Sequence, residues 1–212
     1  MKKTTEILIS LGLLVFSLMF LAQILTSRTY MNLSEGRYAA HHHIEYDHRF
    51  VAHQLIDYLN YRHDDLTFGA TADDVGPVMR DIEIRHMVDV KDLYTTLRGV
   101  ALGALMLSVL GLSMVYRVDK KWFYETLQNS YRLPLIFTVF MAFSFAVAFD
   151  RAFILFHELF FDNDDWLLRA DDVLIQLLPQ NFWLVSASLI LVGVVGWNLA
   201  LYSIGKKRLS KM

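Results

Sequence analysis

The chain has 212 residues, 55% of them apolar and 14% aromatic, with a formal net charge of −2. That apolar share exceeds what an ordinary soluble domain carries, and a near-zero net charge supplies no overall field for nucleic acid. Cysteine is absent, which excludes a disulfide framework, a thiolate metal site and a cysteine nucleophile.

The first element is an apolar run over 7–25, preceded by Lys2 and Lys3. It is longer than the ~7–15 residues of a signal-peptide core and no small-x-small cleavage site follows, so it reads as an uncleaved membrane anchor. A helix rising ~1.5 Å per residue needs about 20 apolar residues to cross a bilayer. Three further stretches meet that length, 100–116, 135–156 and 182–204. The expected fold is all-α, with four transmembrane helices.

Between the first two spans, residues 27–99 are long enough for a small extramembrane domain, inserted in what is otherwise a single membrane domain. Ile44, Val51, Leu55 and Leu59 form one apolar stripe at helical spacing. DLTF and VMRDIEI read as short strands around the DDVGP turn. Asp89 in DVKDL, with Asp92 three residues on, reads as the cap of a helix that continues into the second span. In the third span, Asp150 and Arg151 interrupt the apolar run and His157 closes it. Asp150 and His157 lie seven residues apart, hence on one helix face. Measured from Leu135, they fall roughly 22 Å and 33 Å along the helix, against an apolar core about 30 Å thick. A carboxylate at membrane depth costs about 2.5–3.5 kcal/mol on translocon scales. The reading is therefore a polar pocket. The plainer alternative has Arg151 snorkelling, Asp150 paired in the bundle and His157 ending a helix. The loop 158–181 mixes acids with Leu159, Phe160, Phe161, Leu167 and Leu168, as a segment lying in the interface would. Its VLIQLL stretch reads as a short helix capped by Asp171 or Asp172 and ended before Pro179. DNDD lacks the glycine of a calcium loop, and the position of its last glutamate holds Val173.

Basic residues set the orientation. The N-terminus, the 117–133 loop and the tail together hold ten of the twenty Lys and Arg but only Glu6, Asp119 and Glu125 as acids. Segments 27–99 and 158–181 hold eighteen acids against nine basic residues. Both termini are thus expected in the cytoplasm and both acidic segments outside. Trp122, Trp166 and Trp183 fall near the expected interfaces.

Histidine carries the chemistry. Seven of eight histidines lie in 27–99 and the eighth is His157. His41, His42 and His43 invite a zinc site, yet no HExxH pattern accompanies them, so no metal is assigned. His86, in EIRHMVDVKDL, precedes a span and His157 follows one, so both stand at outer junctions where they can converge. Imidazole is the side chain suited to passing protons near neutral pH.

HMVDVKDL before a span and FHELFF–ND–W after one resemble the lipoprotein intramolecular transacylase (Lit) family of Gram-positive bacteria. The YLN segment at 58–60 and PQNFW at the last span match as well. The resemblance implies an enzyme that moves the sn-2 acyl chain of a diacylglyceryl lipoprotein onto the amine of its N-terminal cysteine. The product is a lyso-form lipoprotein. The family's catalytic histidines fall on His86 and His157, the partners are diacylated lipoproteins and lipids of the outer leaflet, and no cofactor is implied. Direct attack of the amine on the ester closes an eight-membered ring between groups already tethered, so positioning supplies much of the rate. An α-amine of pKa about 7.7–8.0 needs a base near neutrality. Either two histidines or one acting twice suffice. By proximity, Glu83 or Asp89 would orient His86, Asp150 would serve His157, and Arg151 or Lys91 would stabilise the oxyanion. Trp166 completes the second motif and is grouped with these supporting residues. A pH-sensing or lipid-binding membrane protein without catalysis and a zinc-dependent membrane hydrolase are the alternatives.

Overall fold

A computed structural model describes residues 2–34, 46–74 and 76–212. The triple histidine at 41–43 and Ile44 lie outside these residues. Among the described residues there are eight helices and no strand. Four are long and apolar enough to cross a membrane: α1 (Lys2–Leu25), α4 (Asp81–Val118), α6 (Arg132–Phe160) and α8 (Gln180–Leu209). The others are α2 (Arg28–Ser34), α3 (His48–Leu59), α5 (Lys120–Asn129) and α7 (Val173–Leu177).

The chain groups into two compact units, and the long helices contribute to both. The first comprises Met1–Ala22, Leu97–Phe149 and Ala187–Met212. Its core gathers Ile9, Leu13 and Val115, with Trp122, Phe123 and Leu201 packed against them. Close helix approach here uses small residues, the usual device where lipid leaves no hydrophobic drive between helices. A Cβ at Gly12 would stand 2.9 Å from the carbonyl oxygen of Ala104. The outward side chains Ile136, Phe140, Phe143 and Val147 of α6 recur at helical spacing and are exposed, as a lipid-facing stripe requires. The basic 117–133 segment, read from sequence as a loop, contains α5. Asp119 caps it by accepting the N–H groups of Lys121 and Trp122 at 2.8 and 3.1 Å. Glu6 accepts from Trp122 Nε1 at 3.1 Å.

The second unit comprises Gln23–Thr96 and Asp150–Ser186. The expected amphipathic helix is α3, capped by Asp47, whose carboxylate accepts the N–H of Phe50 at 3.0 Å. Val51 and Leu55 are buried with Leu66, Met79, Met87, Val173 and Leu174. Asp57, on the same helix, is buried beneath Arg28 and Arg62. Burial alone would raise its pKa, but the two guanidinium groups outweigh that and hold it below the ordinary carboxylate value.

Three local expectations change. The two short strands do not form: a single backbone bond, Val78 N–H to Phe68 C=O at 2.9 Å, links the stretches read as strands. The DIEI part of the second is instead the first turn of α4, which begins at Asp81 rather than near Asp89. The cause is Glu83, whose carboxylate reaches back to accept the Arg80 N–H at 2.8 Å, the reciprocal half of a capping box. Asp172 does stand at the N-cap of α7, but its carboxylate turns to Arg80 and to the Arg169 N–H instead of capping the helix. Within α6, Ala148 departs from helical dihedrals (φ −151°, ψ 53°).

Candidate active site

His86 lies on the second turn of α4, after Asp81 and Glu83, whose charge suits a helix N-terminus. His157 lies in the last turn of α6. Both are in the second unit and both are buried, at 8% and 7% exposure. Their ring centroids stand 5.9 Å apart although 71 positions separate them in sequence.

An aromatic shell surrounds the pair. Trp166 stacks on His157 at 5.0 Å with 29° between the planes, and Phe153 lies 4.1 Å from the same ring. Phe161 touches both histidines, edge-on to His86 at 5.3 Å and at 5.6 Å from His157. Such packing fixes the rings and keeps water away from them.

The hydrogen bonds define the two imidazoles differently. His157 Nδ1 lies 2.7 Å from the carbonyl oxygen of Phe153. A carbonyl only accepts, so Nδ1 carries the proton and Nε2 keeps the lone pair. His86 Nδ1 is buried without a hydrogen-bond partner among the described residues. Burial, and then the neighbouring His157, push the His86 pKa down to about 4, with Asp89 and Asp165 opposing the shift. His86 is therefore a neutral imidazole at pH 7 whose buried Nδ1 has no hydrogen-bond partner among the described residues.

The supporting residues are placed otherwise than proximity in sequence suggested. Glu83 does not orient His86: its two oxygens accept the N–H groups of Leu174 and Arg80, each at 2.8 Å. It is a buried brace between α7 and the start of α4, and burial pushes its pKa upward. Asp89 accepts from Asn163 Nδ2 at 2.8 Å and acts on His86 only through its charge. Lys91 is turned away, because five residues along a helix is a rotation of about 140° from His86. Its ammonium sits over the rings of Tyr58 and Tyr61 at 3.9 and 4.4 Å. Asp150 does not serve His157, whose Nδ1 is taken by Phe153. Asp150 accepts from Gln180 Nε2 at 3.2 Å, and Arg151 is exposed beside it. Of the expected supporting set, Trp166 alone touches a candidate histidine ring.

Phe153, Phe161, Arg85, Asn163 and Asp165 are not among the site residues expected from sequence. A helix-terminal histidine with a carbonyl four residues back was a legible signal for Phe153. Nothing local marks which side chains a distant loop will meet. The DNDD stretch, weighed as a calcium fragment, is instead tied to α4: Arg85 grips Asp165 through two bonds of 2.8 and 2.9 Å.

Comparisons with known proteins follow the same lines. The family described as lipoprotein intramolecular transacylase Lit matches residues 4–183. The chain is similar to the membrane integral lipoprotein intramolecular transacylase Lit from Bacillus cereus, at 24% identity and a TM-score of 0.73. That match covers 100% of this chain and 96% of that structure. Two further structures of that protein, with a histidine replaced by arginine or by alanine, match at 23% identity with TM-scores of 0.70 and 0.71. They are covered over 93% and 94% of their lengths, again by all of this chain. At these identities the likeness establishes the fold. An uncharacterised protein from Aquifex aeolicus is 29% identical over 103 residues, 49% of this chain and 45% of that protein. The matched stretch thus spans about half the length of this curated relative.

Proposed function

The chain belongs to the lipoprotein intramolecular transacylase (Lit) family, and from that premise we propose that it performs O-to-N acyl transfer on diacylated lipoproteins. The observation that carries the reading is the pairing of two buried histidines at 5.9 Å, one with a fixed tautomer and one with an uncommitted nitrogen.

The roles follow from those two differences. His157, with Nδ1–H held by Phe153, presents Nε2 as the base that takes a proton from the cysteine amine as it attacks the sn-2 ester carbonyl. His86, neutral at working pH, donates a hydrogen bond from its imidazole N–H to the oxygen on which negative charge develops. The carbonyl carbon gains its bond to nitrogen and loses its bond to the glyceryl oxygen. The proton held on His157 passes to that departing oxygen. The balance is an ester converted to an amide with no water consumed, and one histidine serves as base and then acid. Burial of both rings in an aromatic shell favours this transfer over hydrolysis, since water is kept from the tetrahedral centre. The acidic segments 27–99 and 158–181, which supply His86 and Trp166 and flank the helix end that carries His157, face the outer leaflet where the lipidated N-termini lie, and both chain termini face the cytoplasm.

Transfer within one molecule leaves the mass unchanged, so the test must locate the acyl chain. A reporter lipoprotein co-expressed with this chain is digested and its N-terminal lipopeptide fragmented by tandem mass spectrometry. An N-acylated cysteine with one ester remaining is the expected product. A free amine with both esters intact would overturn the acyl-transfer reading and leave the pair to proton sensing.

A further inference from the structure

Arg85 and Asp89 stand four residues apart on α4, flanking His86, and both reach across to the short loop that follows α6. Arg85 holds Asp165 through Nε and a terminal nitrogen at 2.8 and 2.9 Å. Asp89 takes Nδ2 of Asn163 at 2.8 Å. The Asn163 side chain is used twice, because its Oδ1 also accepts the Asp165 N–H at 3.0 Å and so shapes the loop. The next residue is Trp166, whose indole lies stacked on His157. One turn of α4 thus presents His86 and also grips the loop that covers His157.

We propose that Arg85, Asp165 and Asn163 are positioning residues, a clasp with Asp89 that holds Trp166 against His157 and thereby sets the distance and angle between the two histidines. The proposal rests on the acyl-transfer reading of the same pair. A mainly structural purpose for the clasp is the weaker account. Arg85 is 59% exposed at its side chain, and an exposed ion pair contributes little to stability. Misplacing reacting groups by about 1 Å, by contrast, costs on the order of 100-fold in rate.

Losing one or the other partner of the Arg85–Asp165 pair also moves His86 in opposite directions. The titratable groups that act on His86 are Asp89 on α4, His157 on α6 and Asp165 on the loop. Asp165 pulls the His86 pKa upward, and Arg85 neutralises Asp165. Loss of the carboxylate therefore lets His86 fall further, whereas loss of the guanidinium leaves a bare carboxylate that raises it.

The test uses the full chain in detergent or vesicles with a diacylated lipopeptide, at equal amounts of folded protein judged by thermal unfolding. Arg85→Gln and Asp165→Asn should each lower kcat by about 10- to 100-fold with KM little changed, and the double Arg85→Asp with Asp165→Arg should regain most of it. Nitrogen-15 histidine spectra should show the His86 titration moving up in Arg85→Gln and down in Asp165→Asn. Trp166→Ala should match the clasp variants and add nothing to Asp165→Asn, because both act through the same ring. Arg85→Lys, which keeps the charge but not the fork, should be intermediate and guards against a misfolded glutamine variant. Wild-type rates in the clasp variants, or full additivity with Trp166→Ala, would overturn the clasp while leaving the histidine reading intact. Undiminished transfer by His86→Ala and His157→Ala would overturn the reading beneath it instead.

Discussion

Glu83 Oε1 accepts the backbone N–H of Leu174 at 2.8 Å, joining two residues 91 positions apart, while its other oxygen holds the N–H of Arg80. This carboxylate is 1% exposed and does not meet the His86 ring three residues on. Its work is to satisfy two backbone N–H groups, the buried one of Leu174 and the part-buried one of Arg80. Glu83→Ala should therefore destabilise the protein, by about 1–3 kcal/mol for the buried Leu174 N–H left unsatisfied. Thermal unfolding in detergent, read beside the transfer rate per folded molecule, checks this. A stable but inactive Glu83→Ala would return Glu83 to a role in orienting His86.

His157→Ala and His86→Ala should each reduce lyso-form lipoprotein by about 10²–10⁴-fold, the usual contribution of a positioned proton-transferring group. The double variant should be little worse than the worse single one, since groups acting as a unit are not additive. Fragmentation of the lipopeptide, normalised to folded protein in the membrane, gives the numbers. Independent, multiplying losses would mean that the two rings serve separate steps.

The pH response of His86 has a definite sign. Its folded pKa, about 4, lies below the ordinary value of 6.5. Between those values the unfolded chain binds the proton and the folded one does not. The contribution to stability is thus fully present above pH 6.5 and is lost as pH falls toward 4. The imidazole should remain neutral at pH 5.5 by nitrogen-15 shifts, assigned by their disappearance in His86→Gln. Titration near 6.5 would show that the ring is solvated in the working protein.

Transfer from ester to amine needs no Lewis acid in this mechanism, so the purified protein should keep its activity in a strong chelator. Elemental analysis is the companion measurement. Stoichiometric zinc, lost together with activity when His41, His42 and His43 are replaced, would favour a metal-dependent hydrolase.

Orientation can be read directly because the chain has no cysteine of its own. A single cysteine at Asp73 should react with an impermeant maleimide in intact cells, and one near Lys211 should not. The reverse pattern would place both histidines on the cytoplasmic leaflet, away from the proposed substrate.

Hydropathy and charge bias are sums over neighbouring residues, so the four long apolar helices were legible in the sequence by itself. Leu135–Phe156 reads as a span whatever it packs against, and Val51 with Leu55 reads as a buried stripe for the same reason. His86 and His157 were also legible as candidates, from their residue type and their places beside spans. Tertiary structure decided the rest. A carboxylate has four lone-pair positions and many partners within reach, so nothing local could direct Glu83 to Leu174, Asp172 to Arg80 or Asp165 to Arg85. The same holds for the start of α4, where the DIEI pattern suits a strand until Glu83 turns back onto the N–H of Arg80. The tautomer of His157 follows from one carbonyl and the depressed basicity of His86 from burial. Both are properties of a packed environment, which chain neighbours cannot supply and only the meeting of distant segments creates.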